Sequence, residues 1–193
     1  VAKPVDTLKN LLGFAFFLSV AVVSGISAWQ APTVLAWVAA LHNLLLGMIY
    51  LLRQPADAYD RTGLWLGLIA ALLPSVNALP DRLPLLATWI GLASYGLILW
   101  SLCTLGSSFG IAPADRGLVA QGPYRFVRHP MYLGELVLRC VLISASPQPV
   151  WSALFALALV AVQVARILRE EKIIRGYHLY AGWIRWRLIP GVW

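Results

Sequence analysis

The distribution of charge constrains this chain more than any other feature. No Asp, Glu, Lys or Arg lies between Lys9 and Arg53, between Arg61 and Asp81, between Arg82 and Asp115, or between Arg139 and Arg166. A helix needs about 20 consecutive apolar residues to cross the hydrocarbon core of a bilayer. Backbone in lipid must also satisfy its own hydrogen bonds, so only helices and closed barrels span. The gaps are of spanning length. With 60% hydrophobic and 12% charged residues and a mean hydropathy of +0.76, the chain spends most of its 193 residues in lipid. Soluble globular, disordered and fibrous classes are excluded, and no room is left for a separate soluble domain. Any chemistry has to be built from helix ends and short loops.

The pattern predicts an all-α integral membrane protein with four transmembrane helices, a polar loop and a transmembrane helical hairpin. The first gap is too long for one helix and divides at Gln30-Ala31-Pro32-Thr33 into spans of roughly 10–30 and 34–52. A third span, about 63–79, contains Pro74, which bends or ends it, and a fourth, about 84–106, starts at Pro84. Trp29, Trp65, Trp89 and Trp151 fall near segment ends, where an indole prefers the headgroup level. Residues 107–130 are rich in Gly, Ser, Pro and charge and form the long polar connector. A loop of that length in so compact a chain is usually functional or disordered, and its interleaved aromatic and apolar residues argue against disorder. Two apolar arms follow, about 131–145 and 149–172, joined by Ser146-Pro147-Gln148-Pro149 as an antiparallel hairpin. The tail 173–193 reads as a surface-lying segment. Residues 1–106 are thus expected to be transmembrane helices 1–4 and residues 107–193 to be the polar loop, hairpin and tail of the same structural domain. The opening residues carry no small-residue cleavage site before the second apolar run, so the first span is expected to be retained.

This division puts the start of the chain, the loop 53–62, the loop 107–130 and the tail on one face. Twelve basic residues then share that face, Lys3, Lys9, Arg53, Arg61, Arg116, Arg125, Arg128, Arg169, Lys172, Arg175, Arg185 and Arg187, against Arg82 on the other. By the positive-inside rule the shared face is cytoplasmic. The net charge of +7 is therefore read as topology and not as nucleic-acid binding. Cys103 and Cys140 sit in apolar stretches and are not expected to pair, and no Cys/His spacing points to a metal.

Charge inside lipid is costly and marks function by default. Glu135 and Arg139 share one helix side at a spacing of four, and Arg166 and Glu170 repeat that spacing on the second arm, beside the polar loop. The bland alternative is that each pair neutralises itself, and the roles of Glu135, Arg139 and Glu171 stay open. His129 precedes Pro130, which holds it extended at the start of a helix, where free N–H groups stabilise an anion. Arg128, His129 and the helix start form a candidate anion site, with Tyr124 and Tyr132 nearby. His42, deep in the second span, reads as a helix-packing hydrogen-bond donor.

The run Gly122-Pro123-Tyr124-Arg125-Phe126-Val127-Arg128-His129-Pro130-Met131-Tyr132-Leu133-Gly134, followed by an apolar hairpin and Arg166-Ile167-Leu168-Arg169-Glu170-Glu171, closely resembles the isoprenylcysteine carboxyl methyltransferase family and its phospholipid methyltransferase relatives. The resemblance covers roughly 107–193, with the Tyr177 and Tyr180 pair and Pro190-Gly191 fitting the family's ending. It implies a membrane methyltransferase that uses S-adenosyl-L-methionine at the cytoplasmic interface. It also implies that Arg116, Gly117, Leu118, Val119, Tyr124, His129, Pro130, Met131, Tyr132 and Glu170 contact the cofactor, and that Arg166 meets the polar group of a lipidic or prenylated substrate. Elementary chemistry agrees: a carboxylate suits His129 and a helix start, and an ammonium suits Glu170. No glycine-rich strand-turn-helix offers the soluble solution to nucleotide binding.

The expected reaction is in-line attack on a sulfonium methyl by an ionised carboxylate, which needs no general base. Arg166 and Glu170 are its candidate catalytic residues. Phosphatidylethanolamine N-methylation is the alternative, with Glu170 or Glu171 as the base. A transporter is disfavoured, because the intramembrane charges cluster at one face and no inverted repeat is evident. The expected partners are the bilayer and a lipidic substrate, with no nucleic acid. Nothing in the sequence specifies an oligomeric state.

Overall fold

The computed structural model describes residues 4–72 and 83–193. Pro74, the Asn77–Pro80 boundary, Lys3 and Arg82 lie outside the described residues. Helix α1 (Pro4–Gln30) and α2 (Val34–Leu51) form an antiparallel pair across the turn at 31–33. Thr33 caps α2 by accepting from the Ala36 amide, as a hydroxyl before an apolar run should. At the other end, Asn10 and Arg53 exchange two hydrogen bonds at 3.2 and 3.0 Å, which fixes the register of the pair. Helix α3 (Arg61–Leu72) and α4 (Leu85–Leu105) follow, then α5 (Pro130–Ser144) and α6 (Pro149–Ile173), and finally the short α7 (Tyr177–Trp183).

Four helices are long and apolar enough to cross a membrane, over Thr7–Gln30, Val34–Leu51, Leu85–Ser108 and Pro149–Ile173. The chain is an all-α, multi-pass membrane protein. Helix α5 has 15 residues, about 22 Å at 1.5 Å each, and so falls short of the roughly 30 Å hydrocarbon core. Its start lies buried in protein. Exposed large side chains cover the long helices, Trp29, Trp89 and Trp151 among them. That is the inverse of a soluble surface and what lipid requires.

Helices α4 and α5 pack closely because Gly134 gives α5 no side chain at the crossing. A Cβ there would lie 2.7 Å from Ile98 Cγ1 and 3.0 Å from the Ser94 carbonyl. Small residues at such crossings let helix backbones approach in lipid. The core around this contact includes Ile98, Leu102, Met131, Leu138 and Ile167.

The sequence pattern does not predict the small sheet that ties the connectors together. Strand β1 (Ala58–Tyr59) pairs antiparallel with β2 (Ala114–Asp115), Ala58 opposite Asp115 and Tyr59 opposite Ala114. Further backbone bonds join Gln54 N to Ser107 O at 2.9 Å and Asp60 N to Pro113 O at 3.1 Å. The tail joins the same end, where the Arg128 and His129 amides donate to Trp186 and Arg187 carbonyls at 2.9 Å each. Loops 52–60 and 106–129 and the tail thus gather at one end of the helices.

Candidate active site

Helix α5 begins at Pro130 because a proline at the first helical position needs no amide partner and holds the preceding residue out of the helix. His129, at φ −131° and ψ 61°, is that residue, and its side chain does not cap the helix. The ring instead turns into the protein. It is buried and stacks on Tyr132 (centroids 5.6 Å apart, planes 6°) and on Tyr177 (6.2 Å, 23°). Nε2 lies 3.0 Å from the Tyr177 hydroxyl and 3.6 Å from Glu171 Oε1, and Nδ1 lies 3.7 Å from Glu170 Oε2.

The two adjacent glutamates of α6 serve different neighbours. Glu170 lines a cleft, accepts the Tyr132 hydroxyl, and has Oε1 3.9 Å from Arg166 Nη2 one turn back. Glu171 turns to the tail. Arg187 donates Nε and Nη2 to its two oxygens at 2.8 Å each, and Arg128 Nη1 donates at 3.0 Å. A two-pronged guanidinium–carboxylate bond is the strong form of this contact. The bond raises the affinity of Arg187 for its proton. Arg128 also donates to the Arg185 carbonyl at 3.1 Å. The anion site expected from Arg128 is therefore corrected: that guanidinium holds the tail in place.

The cleft collects most of the side chains expected to act together. Arg116, Gly117, Leu118, Val119, Tyr124, His129, Met131, Tyr132 and Glu170 all line it. Pro130 and Arg166 do not. Pro130 is fully buried behind the wall as the first residue of α5. Arg166 sits beneath Tyr132, its guanidinium 4.8 Å from the ring centroid. Its Nη2 donates to the Ile111 carbonyl at 3.1 Å and Nη1 to Gln163 Oε1 at 3.4 Å, while buried Nε has no hydrogen-bond partner. Loop residue Arg116 donates Nε to the Gln54 carbonyl at 3.1 Å, and Gly117 N donates to Asp115 Oδ1 at 3.3 Å. These bonds explain how a long connector keeps a fixed shape.

Glu135 accepts from Gln163 across the hairpin, so its hydrogen bond goes to α6 and not to Arg139 on its own helix. Arg139 is buried with Nη1 lacking a hydrogen-bond partner. His42 meets Tyr95 edge-on at 6.0 Å, a ring contact between α2 and α4. Among the described residues no group of His, Cys, Asp and Glu is placed to hold a metal ion, and Cys103 and Cys140 are free.

Sequence reasoning missed Gln163 as a part of the site and gave Tyr177 and Tyr180 no more than a place in a family pattern. Gln163 carried a readable signal, a lone amide in an apolar helix three residues before Arg166. Tyr177 and Tyr180 line the cleft from α7, and the Tyr180 hydroxyl donates to the Tyr124 carbonyl. Burial holds the Tyr124 phenol well above its usual range, with the Glu170 charge adding to it, and pushes Tyr180 up to about 12 against the opposing charge of Arg128. Burial and the Glu171 charge hold Tyr177 up as well. All three are neutral hydroxyls at neutral pH, able to donate hydrogen bonds and unsuited to act as bases.

Arranged in this way, the cleft offers a carboxylate, an imidazole, a guanidinium, the first turn of a helix and apolar walls at the end of a membrane-embedded bundle. A model of the family described as phospholipid methyltransferase matches residues 78–178, more than half of the chain. No curated protein matches it. The chain belongs to the phospholipid methyltransferase family, a family of membrane methyltransferases.

Proposed function

We propose that the protein methylates the α-carboxylate of a prenylated cysteine or a similar lipidic acid, with S-adenosyl-L-methionine as donor, in the cleft between loop 106–129, α5, α6 and α7. The observation that carries this reading is the placement of Glu170 on the cleft wall with Arg166 one turn deeper and Tyr132 touching both. The donor set fits the cofactor. Glu170 suits its ammonium, while His129 and the first-turn amides of Met131 and Tyr132 after Pro130 suit its carboxylate. Loop residues Arg116, Gly117, Leu118 and Val119, with Tyr124, are the candidates for its adenosine. When bound, the cofactor supplies an electrophilic methyl group on a sulfonium.

The residues of the chain then act by positioning. A substrate carboxylate is ionised at neutral pH and needs no base. Arg166 holds its partners rigidly and retains a buried Nε donor, which suits a planar anion presented from the lipid side. Amine methylation, by contrast, needs a base to take a proton. Glu171 is already shared by two guanidinium groups and Glu170 by a tyrosine hydroxyl, which favours the acid over phosphatidylethanolamine. In this reading residues 107–193 are the catalytic region and 1–106 its frame, with the cleft at the cytoplasmic face. The basic residues of the connector end support that orientation.

Purified protein supplied with methyl-labelled cofactor and offered a prenylcysteine acid, its amide and phosphatidylethanolamine tests the assignment. Label is expected in the acid alone. Label in phosphatidylethanolamine would replace this acceptor with the amine, and label in none would remove the proposed acceptors together.

A further inference from the structure

Arg61, Arg125, Lys172 and Arg185 are exposed cations at the connector end with no ion pair to an acid among the described residues, and Arg125 and Arg185 lie close together. The carboxylates described on this face are taken: Asp57 and Asp115 by Arg175, Asp60 by Arg169, Glu171 by Arg128 and Arg187, and Glu170 by His129 and Arg166. Arg125 and Arg185 are exposed, and each lies over the ring of the residue that follows it, Phe126 at 5.0 Å and Trp186 at 5.2 Å. The two pairs are neighbours, because Arg128 binds the Trp186 carbonyl through its amide and the Arg185 carbonyl through Nη2. Beside them, α7 turns Tyr177 and Tyr180 into the cleft and leaves Leu179 66% and Trp183 89% exposed, with Phe126 at 59%.

Large apolar and aromatic side chains interleaved with uncompensated arginines have the composition of the headgroup level of a bilayer. Anionic phospholipid supplies the missing counter-charge, worth roughly a factor of five for each arginine near the surface. Lipid also already surrounds the ends of the spanning helices, so contact requires no separate association. We propose that Arg125, Phe126, Leu179, Trp183, Arg185 and Trp186 seat α7 and the tail on anionic phospholipid headgroups. Tyr177 and Tyr180 share that helix, so the same contact holds one wall of the cleft in place. Lipid composition is then a regulator of the site.

The whole chain in nanodiscs of phosphatidylcholine, with and without phosphatidylglycerol, tests this by amide hydrogen exchange over residues 177–187. The anionic discs are expected to slow exchange about tenfold. Arg125→Gln with Arg185→Gln should abolish the difference while leaving the phosphatidylcholine value unchanged, and Trp183→Ala should speed exchange in both discs. Equal exchange of the unaltered protein in the two discs overturns the proposal, as does a difference that survives in the double variant. Slowing that follows the number of chains per disc, and not the lipid, assigns the patch to a second copy and also overturns it. No methyl donor is present in these measurements, so their outcome is independent of the reaction proposed above.

Discussion

At the residue scale, the adjacent acids of α6 make different forecasts. Glu170→Gln and His129→Ala each remove a group assigned to the cofactor, and each should weaken S-adenosylhomocysteine binding about tenfold, taking about 1.5–3 kcal/mol for a charged hydrogen bond. Calorimetry on folded protein checks this, and unchanged affinity in both would end the assignment. Arg166 makes a separate forecast because it lies behind Tyr132 and off the cleft wall. Arg166→Lys keeps the charge and loses the planar fork, so kcat/KM on a prenylcysteine acid should fall at least tenfold with cofactor affinity little changed. Full turnover by Arg166→Ala would exclude it from the chemistry. Equal losses of thermal stability, cofactor affinity and turnover would make it a simple counter-charge to Glu170. The spacing of four between Arg166 and Glu170 was legible because it is a property of one helix. The bond from Arg128 to Glu171 spans 43 residues and the one from Tyr180 to Tyr124 spans 56, and no local periodicity encodes either.

At the scale of elements, the contact of α4 with α5 is set by a missing side chain. Gly134→Ala forces a methyl to within 2.7 Å of Ile98 Cγ1 and 3.0 Å of the Ser94 carbonyl, so one helix must move. Overpacking of this kind costs about 1–3 kcal/mol, measurable as a lower midpoint of thermal unfolding in detergent. The junction of α3 with α6 is expected to respond to pH. The hydrogen bond from Arg169, at 2.8 Å, holds Asp60 below its usual 3.8. An acid whose folded value is depressed contributes stability that is fully present above the unfolded value and is lost as pH falls through the folded one. The unaltered protein should therefore lose stability on the acid side of that range. Asp60→Asn should be about 0.5–1 kcal/mol less stable at neutral pH and show a shallower acid loss, because the pair is partly exposed. Thermal midpoints across acid pH for both proteins provide the check. Element boundaries were largely legible, since charge gaps and the prolines at 130 and 149 mark where helices start. The sheet of β1 with β2 was not, because two-residue strands bury no alternating face for a sequence pattern to reveal.

At the scale of the whole molecule, loops 52–60 and 106–129 and the tail share one end, and the proposal that this end is cytoplasmic rests on its density of arginine. After Cys103 and Cys140 are changed to serine, single cysteines at Gln121 and Val192 should react with an impermeant thiol reagent from the cytoplasmic side, and cysteines at Ala31 and Gln148 from the other. Labelling of residues 121 and 192 from opposite sides would refute the topology. The all-α membrane class was legible from composition, but the joining of the first spans to the cleft was not, because it runs through main-chain groups. The main chain of Ile111 is that joint. Its N–H donates to the Tyr50 hydroxyl of α2 at 3.0 Å, and its carbonyl accepts Arg166 Nη2 of α6 at 3.1 Å. Gly67 of α3 leaves the space for it, since a Cβ there would lie 2.3 Å from the same carbonyl oxygen. The two peptide groups that flank one Cα are thus gripped by three helices. One amide proton consequently serves as a gauge of assembly: the exchange of the Ile111 N–H reports whether the front half of the chain is docked on the back half, without any label, ligand or substrate.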